Sequence, residues 1–256
     1  MPPTTLRYAV TDHVATVTFA APARLNAIDD ARMDDLDWVL DELERDQEIA
    51  AAVFTGEGRA FCVGLDLAIL KRGFEDTDYF LAVIRRLNDI LLRLERLPLL
   101  TVAAVNGVAR AGGFETALAC DLILVAEEAR IGDNHAQVNV MPGGGSTQRL
   151  PRRIGMAAAK ELIMSGRWLS GREAATIGLA WRAVPLAELP VAVDDLLKKI
   201  RGRSRACLRA IKAAMDGGGE LPIEQGIALE IATFERYLRE HDDARRGFWD
   251  SLGRDG

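Results

Sequence analysis

Three short apolar runs punctuate the first half of this chain: Ala50–Thr55, Thr101–Val105 and Leu122–Ala126. Each ends in a glycine-bearing loop, and each loop leads towards a helical pattern. Runs this short and this apolar read as strands buried on both faces. Strand, helix and strand in repetition predict an α/β fold with right-handed crossovers. In such sheets ligands bind past the carboxyl ends of the strands, so the loops after these runs are the places to look for chemistry.

The remaining elements follow from periodicity. Leu6–Val10 and Val14–Phe19 alternate around Asp12-His13, as in a hairpin. From Asp29 a helical period places Met33, Leu36, Val39, Leu40 and Leu43 on one face. Asp29, Asp30, Asp34, Asp35 and Asp37 crowd its start, where negative charge suits the helix dipole. A polar, irregular piece precedes a helix near Tyr79–Leu97, stopped by Pro98. Gly112–Cys120 reads as a helix. Beyond Pro142 the pattern is helical: Ala157–Met164, Gly171–Ile177, Leu189–Ile200, Arg205–Asp216, Pro222–Arg239 and Asp242–Asp250, with a break at Gly217-Gly218-Gly219. A composition shift near 185–200 divides an α/β core, 1–190, from a helical region, 191–256, which needs its own core or a neighbouring subunit to pack against.

Composition narrows the function classes. The chain has 256 residues and a net charge of −6, which argues against a nucleic-acid partner. Cys62, Cys120 and Cys207 form no disulfide framework or metal-binding spacing and are expected to be buried, reduced thiols. The N-terminus lacks the pattern of a signal peptide, and no apolar stretch is long enough to span a bilayer; a cytoplasmic setting is the default.

Three loops carry candidate chemistry. In Arg59-Ala60-Phe61-Cys62-Val63-Gly64-Leu65-Asp66-Leu67, Gly64 permits close approach of a ligand and the Leu65 N–H is placed to donate. In Ala111-Gly112-Gly113-Phe114-Glu115, Gly112 presents an N–H at a helix start and Glu115 lies in the first turn. The third, Ile131–Gln137, contains His135, which titrates near neutrality. The run Gly143-Gly144-Gly145 lacks the Gly-Lys-Ser/Thr ending of a phosphate loop and reads as a tight turn with close packing. No nucleophile elbow occurs, and no histidine neighbours Cys62 in sequence to activate it.

Taken together and in order, these segments resemble the crotonase (enoyl-CoA hydratase/isomerase) superfamily over nearly the whole chain. Arg24-Leu25-Asn26-Ala27 is similar to the family's early coenzyme A-contacting segment, and Ala60–Leu67 to its first oxyanion loop. Ala104-Val105-Asn106-Gly107, Ala111–Glu115 and Ala119-Cys120-Asp121 resemble its second, and Pro142–Leu150 the signature that follows. The resemblance implies a spiral of ββα units with a helical C-terminal region that builds trimers, often paired into hexamers. It implies an acyl-CoA substrate whose thioester carbonyl is held by the N–H groups of Leu65 and Gly112, contacts from Arg24, Leu25, Ala60, Val63, Gly64, Asp66 and Leu67, and an acyl pocket walled by Ile69–Ile84. No cofactor or metal is expected, because coenzyme A belongs to the substrate and the two donors polarise the carbonyl.

Two departures bear on the reaction. In family hydratases two glutamates handle water and proton; Glu115 matches the first, but His135 stands at the second, and Ala111 replaces a usual glycine. Hydration of a 2-enoyl-CoA by Glu115 and His135 is the leading expectation. Isomerisation by Glu115 alone, hydrolysis by the pair, and a catalytically inactive coenzyme A- or RNA-binding relative stay open. The basic stretch Lys198, Lys199, Arg201, Arg203, Arg205, Arg209 and Lys212 is either a solvated helix face or an aid to the coenzyme's 3′-phosphate; Phe248 and Trp249 are candidates for an adenine pocket.

Overall fold

The structure, a computed structural model, describes residues 3–241. The expected helix at 242–250, with Phe248 and Trp249, lies outside the described residues. Strands β1 (Leu6–Thr11) and β2 (Val14–Phe19) form an antiparallel hairpin. Asp12 and His13 both have positive φ, 48° and 64°. That is the two-residue turn whose twist matches the strands it joins. β3 (Ala51–Gly56), β5 (Leu100–Val105), β7 (Leu122–Ala126) and β10 (Arg182–Val184) then add in parallel to give a six-stranded sheet, ordered β1-β2-β3-β5-β7-β10.

A second sheet was not legible in the sequence. β4 (Ala60–Cys62), β6 (Val108–Arg110) and β8 (Arg130–Gly132) pair in parallel, and the two-residue β9 (Leu169–Ser170) adds antiparallel to β8. β3, β5 and β7 thus each hand the chain to a short strand of this second sheet. Strands of two or three residues cannot display a period of two, so only tertiary pairing reveals them.

Helix α1 (Asp30–Arg45) buries Met33, Leu36, Val39, Leu40 and Leu43, as the periodicity predicts. Asp29 caps it by accepting from Arg32 N at 2.9 Å. The other aspartates have different work. Asp34 and Asp37 pair with Arg86, and Asp37 and Asp41 with Arg93, both arginines on α3 (Thr77–Glu95). Asp35 accepts from the N–H groups of Thr4 and Thr5. The supposedly irregular piece before α3 holds helix α2 (Leu67–Glu75), capped by Asp66, whose side chain accepts from Ala68 N.

Farther on come α4 (Gly112–Leu118), α5 (Ser146–Ile154), α6 (Met156–Ser165) and α7 (Gly171–Thr176). Helix α8 (Leu189–Arg201) joins the core through Leu189, Ala192 and Leu197. Helix α9 (Arg205–Gly218) runs through the expected glycine break before α10 (Ile223–Glu240) folds back on it. No residue of α9 is buried, and α10 buries only Thr233. Ile211, Met215, Ile223, Ile227, Ile231 and Phe234 are exposed on this pair. Among the described residues no helix is long and apolar enough to cross a membrane.

Candidate active site

The first loop is fixed by backbone pairing. Ile28 N donates to Gly64 O, and Asp66 N donates to Ile28 O, both at 2.8 Å. Backbone groups alternate sides along an extended segment. The bonds flanking Leu65 therefore turn its own N–H the other way, and that N–H makes no hydrogen bond among the described residues. Gly64 has φ +89°, a conformation that L side chains rarely adopt. Asn26, fully buried, pins the preceding segment: its Nδ2 donates to Glu57 O and Ala60 O, and its Oδ1 accepts from Ala21 N. The motif Arg24-Leu25-Asn26-Ala27 gives no sign in sequence of this role for Asn26.

The second loop closes onto the first. A Cβ on Gly112 would stand 3.2 Å from Gly64 Cα and 3.7 Å from Leu65 N. The N–H groups of Leu65 and Gly112 thus belong to adjoining stretches of backbone, and the Gly112 N–H is likewise unbonded among the described residues. Ala111, immediately before, adopts φ 48° and ψ −122°. A non-glycine residue there is strained, by about 1–3 kcal/mol.

Three residues beyond Gly112, in the first turn of α4, lies Glu115, 2% exposed. Its Oε1 accepts from Gly144 N at 2.7 Å and from Ser146 N at 3.3 Å. The glycine run expected to be a tight turn is the cradle of this carboxyl group: any side chain on Gly144 would collide with it. Neighbours secure the cradle. Asn88 Nδ2 donates to Gly143 O at 2.7 Å, and Arg149 donates to Gly144 O at 2.9 Å while pairing with Glu95.

The third loop brings His135 to the same place. Asn134, at φ 57°, turns the chain so that Asp133 and His135 meet, with His135 Nδ1 3.0 Å from Asp133 Oδ1. Nothing in the sequence marks Asp133 beyond its place two residues before a candidate histidine; its burial appears only in the fold. Burial raises the Glu115 pKa, against the opposing charge of His135 and the two N–H bonds. Burial acts to lower that of His135, but the hydrogen bond and charge of Asp133 and the charge of Glu115 outweigh it, so the pKa is raised. The arrangement combines two unengaged N–H donors, a buried carboxyl group and an oriented imidazole. Together these can polarise a carbonyl and move protons at the adjacent carbons.

The other sequence candidates are placed as follows. Arg24 is exposed and pairs with Asp29 at 2.6 Å and Asp66 at 3.4 Å. Leu25, Val63 and Asp66 are partly exposed, Leu67 is open to solvent, and Ala60 is buried in β4. Cys62 is buried, its thiol pushed up to about 11 by desolvation, while Cys207, expected to be buried, is partly exposed. In the basic stretch Lys198 and Arg201 pair with Asp194, Arg205 with Glu48, and Lys212 with Asp121 and Asp216, so much of its charge is already matched.

Residues 10–251 match the family model described as enoyl-CoA hydratase/isomerase. The chain belongs to the enoyl-CoA hydratase/isomerase family. It is 32% identical to the short-chain-enoyl-CoA hydratase of Clostridium acetobutylicum, over 92% of this chain and 90% of that one. It is 35% identical to the mitochondrial methylglutaconyl-CoA hydratase of Rattus norvegicus, over 81% and 67%. Its fold superposes on the crystal structure of enoyl-CoA hydratase from Bacillus anthracis with a TM-score of 0.93 and 29% identity, covering 98% of this chain and 97% of the other. The protein is thus an acyl-CoA-processing enzyme of the enoyl-CoA hydratase/isomerase family, with the crotonase α/β fold that the sequence motifs imply.

Proposed function

We propose that the enzyme adds water across the double bond of a 2-enoyl-CoA thioester to give a 3-hydroxyacyl-CoA. The observation that carries this reading is Glu115, buried in its glycine cradle three residues beyond one of two unengaged N–H groups and electrostatically coupled to an oriented imidazole. The thioester oxygen accepts from Leu65 N–H and Gly112 N–H. Negative charge gathers on that oxygen as the enolate forms, and losing one such donor costs roughly 2.7–4 kcal/mol of transition-state stabilisation.

The Glu115 carboxylate takes a proton from water as the water oxygen bonds to the β-carbon. The π electrons pass to the enolate and return to the α-carbon, which takes a proton from the His135 imidazolium. Afterwards the proton on Glu115 and the vacancy on His135 equilibrate through solvent. A raised pKa suits both roles: it makes Glu115 a stronger base and favours the imidazolium form of His135. Arg24 meets the coenzyme's phosphates by exchanging a carboxylate partner for a phosphate oxygen. Leu25, Val63, Gly64, Asp66 and Leu67, with the backbone of Ala60, border the substrate's path, and Ile69–Ile84 walls the acyl group. The reading calls for neither metal nor cofactor.

The apolar face of α9 and α10 supports a homotrimer, or a hexamer of paired trimers, because two helices with almost no buried residues of their own require a partner surface.

A panel of 2-enoyl-CoA thioesters tests the reading. Turnover to 3-hydroxyacyl-CoA is expected, lost in Glu115→Ala with acyl-CoA binding retained. Double-bond migration or release of free coenzyme A in place of hydration would assign the site to isomerisation or hydrolysis, and no turnover on the whole panel would overturn it.

A further inference from the structure

We infer that Asp133 is a positioning residue that fixes the tautomer and orientation of His135, so that Nε2 is the atom that exchanges the proton. The inference rests on the reading of His135 as proton donor and deepens it.

Asp133 Oδ1 faces two nitrogens of one residue: the backbone N–H of His135 at 3.2 Å and ring Nδ1 at 3.0 Å. Because that oxygen already accepts the backbone N–H, it is an acceptor, and the ring nitrogen facing it supplies the hydrogen. In neutral imidazole only one nitrogen carries hydrogen. Holding it on Nδ1 leaves Nε2, across the ring, as the basic atom, and protonation there gives the acid that hydration needs. An interaction between residues two apart also ties the ring to its own backbone, which limits how far it can swing.

The placement of the pair is fixed as well. Ala111 N–H is shared between Gly132 O at 3.3 Å and Asp133 O at 3.2 Å. The residue just before the Gly112 donor therefore carries the loop that presents the imidazole. On the other side Asn134 Nδ2 donates to Gly166 O at 2.5 Å, holding the left-handed turn. The Asp133 side chain is 1% exposed, and its Oδ2 has no hydrogen-bond partner among the described residues. A buried carboxyl group so sparsely satisfied is costly to keep, and its specific contact is with the histidine. The charged groups acting on His135 are Asp133 and Glu115, which favour the imidazolium, and Arg110, which opposes it.

Kinetics and ring NMR on Asp133→Asn, His135→Ala and the double variant test this. Removing a positioned acid costs about 10²–10⁴-fold in rate. Asp133→Asn is expected to lower kcat by up to the loss seen in His135→Ala, with KM nearly unchanged, and to move the alkaline limb of the pH profile to lower pH. The double variant should be no slower than His135→Ala, because Asp133 acts through that ring. Wild-type kcat and pH limb in Asp133→Asn, or losses that multiply in the double variant, would overturn the inference. Ring ¹⁵N shifts of the wild-type protein, recorded at a pH high enough that the ring is neutral, decide the tautomer even if Asp133→Asn fails to fold: hydrogen on Nδ1 is expected, and hydrogen on Nε2 alone contradicts it. If His135→Ala keeps full turnover, the proton-donor reading fails by itself; a lower His135 titration in Asp133→Asn would still show Asp133 positioning the ring, and an unchanged one would end that too.

Discussion

Gly64 and Gly112 approach so closely that a Cβ on Gly64 would stand 2.8 Å from Gly112 N. No side chain fits between the two loops that present the unengaged N–H groups. Gly64→Ala must also hold a φ near +89° that alanine resists. The loops should part and one donor should leave its position. We expect kcat/KM to fall by about 10²–10³-fold, measured on whichever enoyl-CoA substrate turns over, with the melting temperature lowered.

Ala111 presents the opposite case. It holds φ 48° and ψ −122° despite carrying a Cβ, and relief of that strain, about 1–3 kcal/mol, exceeds the roughly 0.4–1 kcal/mol of unfolded-chain entropy that glycine adds. Ala111→Gly should therefore stabilise the protein, raising the midpoint of denaturant unfolding. A lowered midpoint would mean that the turn is not strained.

Glu115 is a carboxyl group whose burial opposes its ionisation. Burial raises its pKa on folding. The folded protein thus binds this proton more tightly than the unfolded chain. The resulting stability is fully present below the ordinary glutamate pKa and is lost as pH rises through the raised value. Glu115→Gln removes that titration and keeps an acceptor for Gly144 N–H. It should melt higher than wild type at pH 8, with the difference vanishing below pH ~4. Turnover should fall about 10²–10⁴-fold. Calorimetry across pH 4–8 checks the sign.

Ile231 lies 61% exposed on α10, between Ile227 and Phe234 on the same apolar face. If that face joins subunits, Ile231→Glu places a charge in the interface and should shift the enzyme to a smaller species in sedimentation. An unchanged sedimentation coefficient would remove this face from the assembly.

Much of this molecule could be read from its amino acids. The paired β1 and β2, the buried runs that became β3, β5 and β7, and the apolar stripe of α1 follow from period and burial, which are local properties. The positions of Gly64, Gly112, Glu115 and His135 followed from residue types in a recurring order. What could not be read is how these pieces meet. The second sheet consists of strands too short to carry a period. Asp34 and Asp37 suit a helix start by charge alone, yet their partners lie on α3, and the sequence does not say which surface arrives there. The glycine run at 143–145 signals close packing, but only folding shows that the packed group is Glu115.

By itself the sequence determined an α/β fold and the chemical identity of the groups at the carboxyl ends of its strands. The tertiary structure decided that the N–H groups of Leu65 and Gly112 come from adjoining backbone stretches, that Glu115 is sealed in a cradle of amides, and that Asp133 stands behind His135. The physical reason is that burial and periodicity act along the chain. The direction of an N–H and the partner of a carboxyl group are set by contacts between segments dozens of residues apart, which exist only once the two sheets have packed.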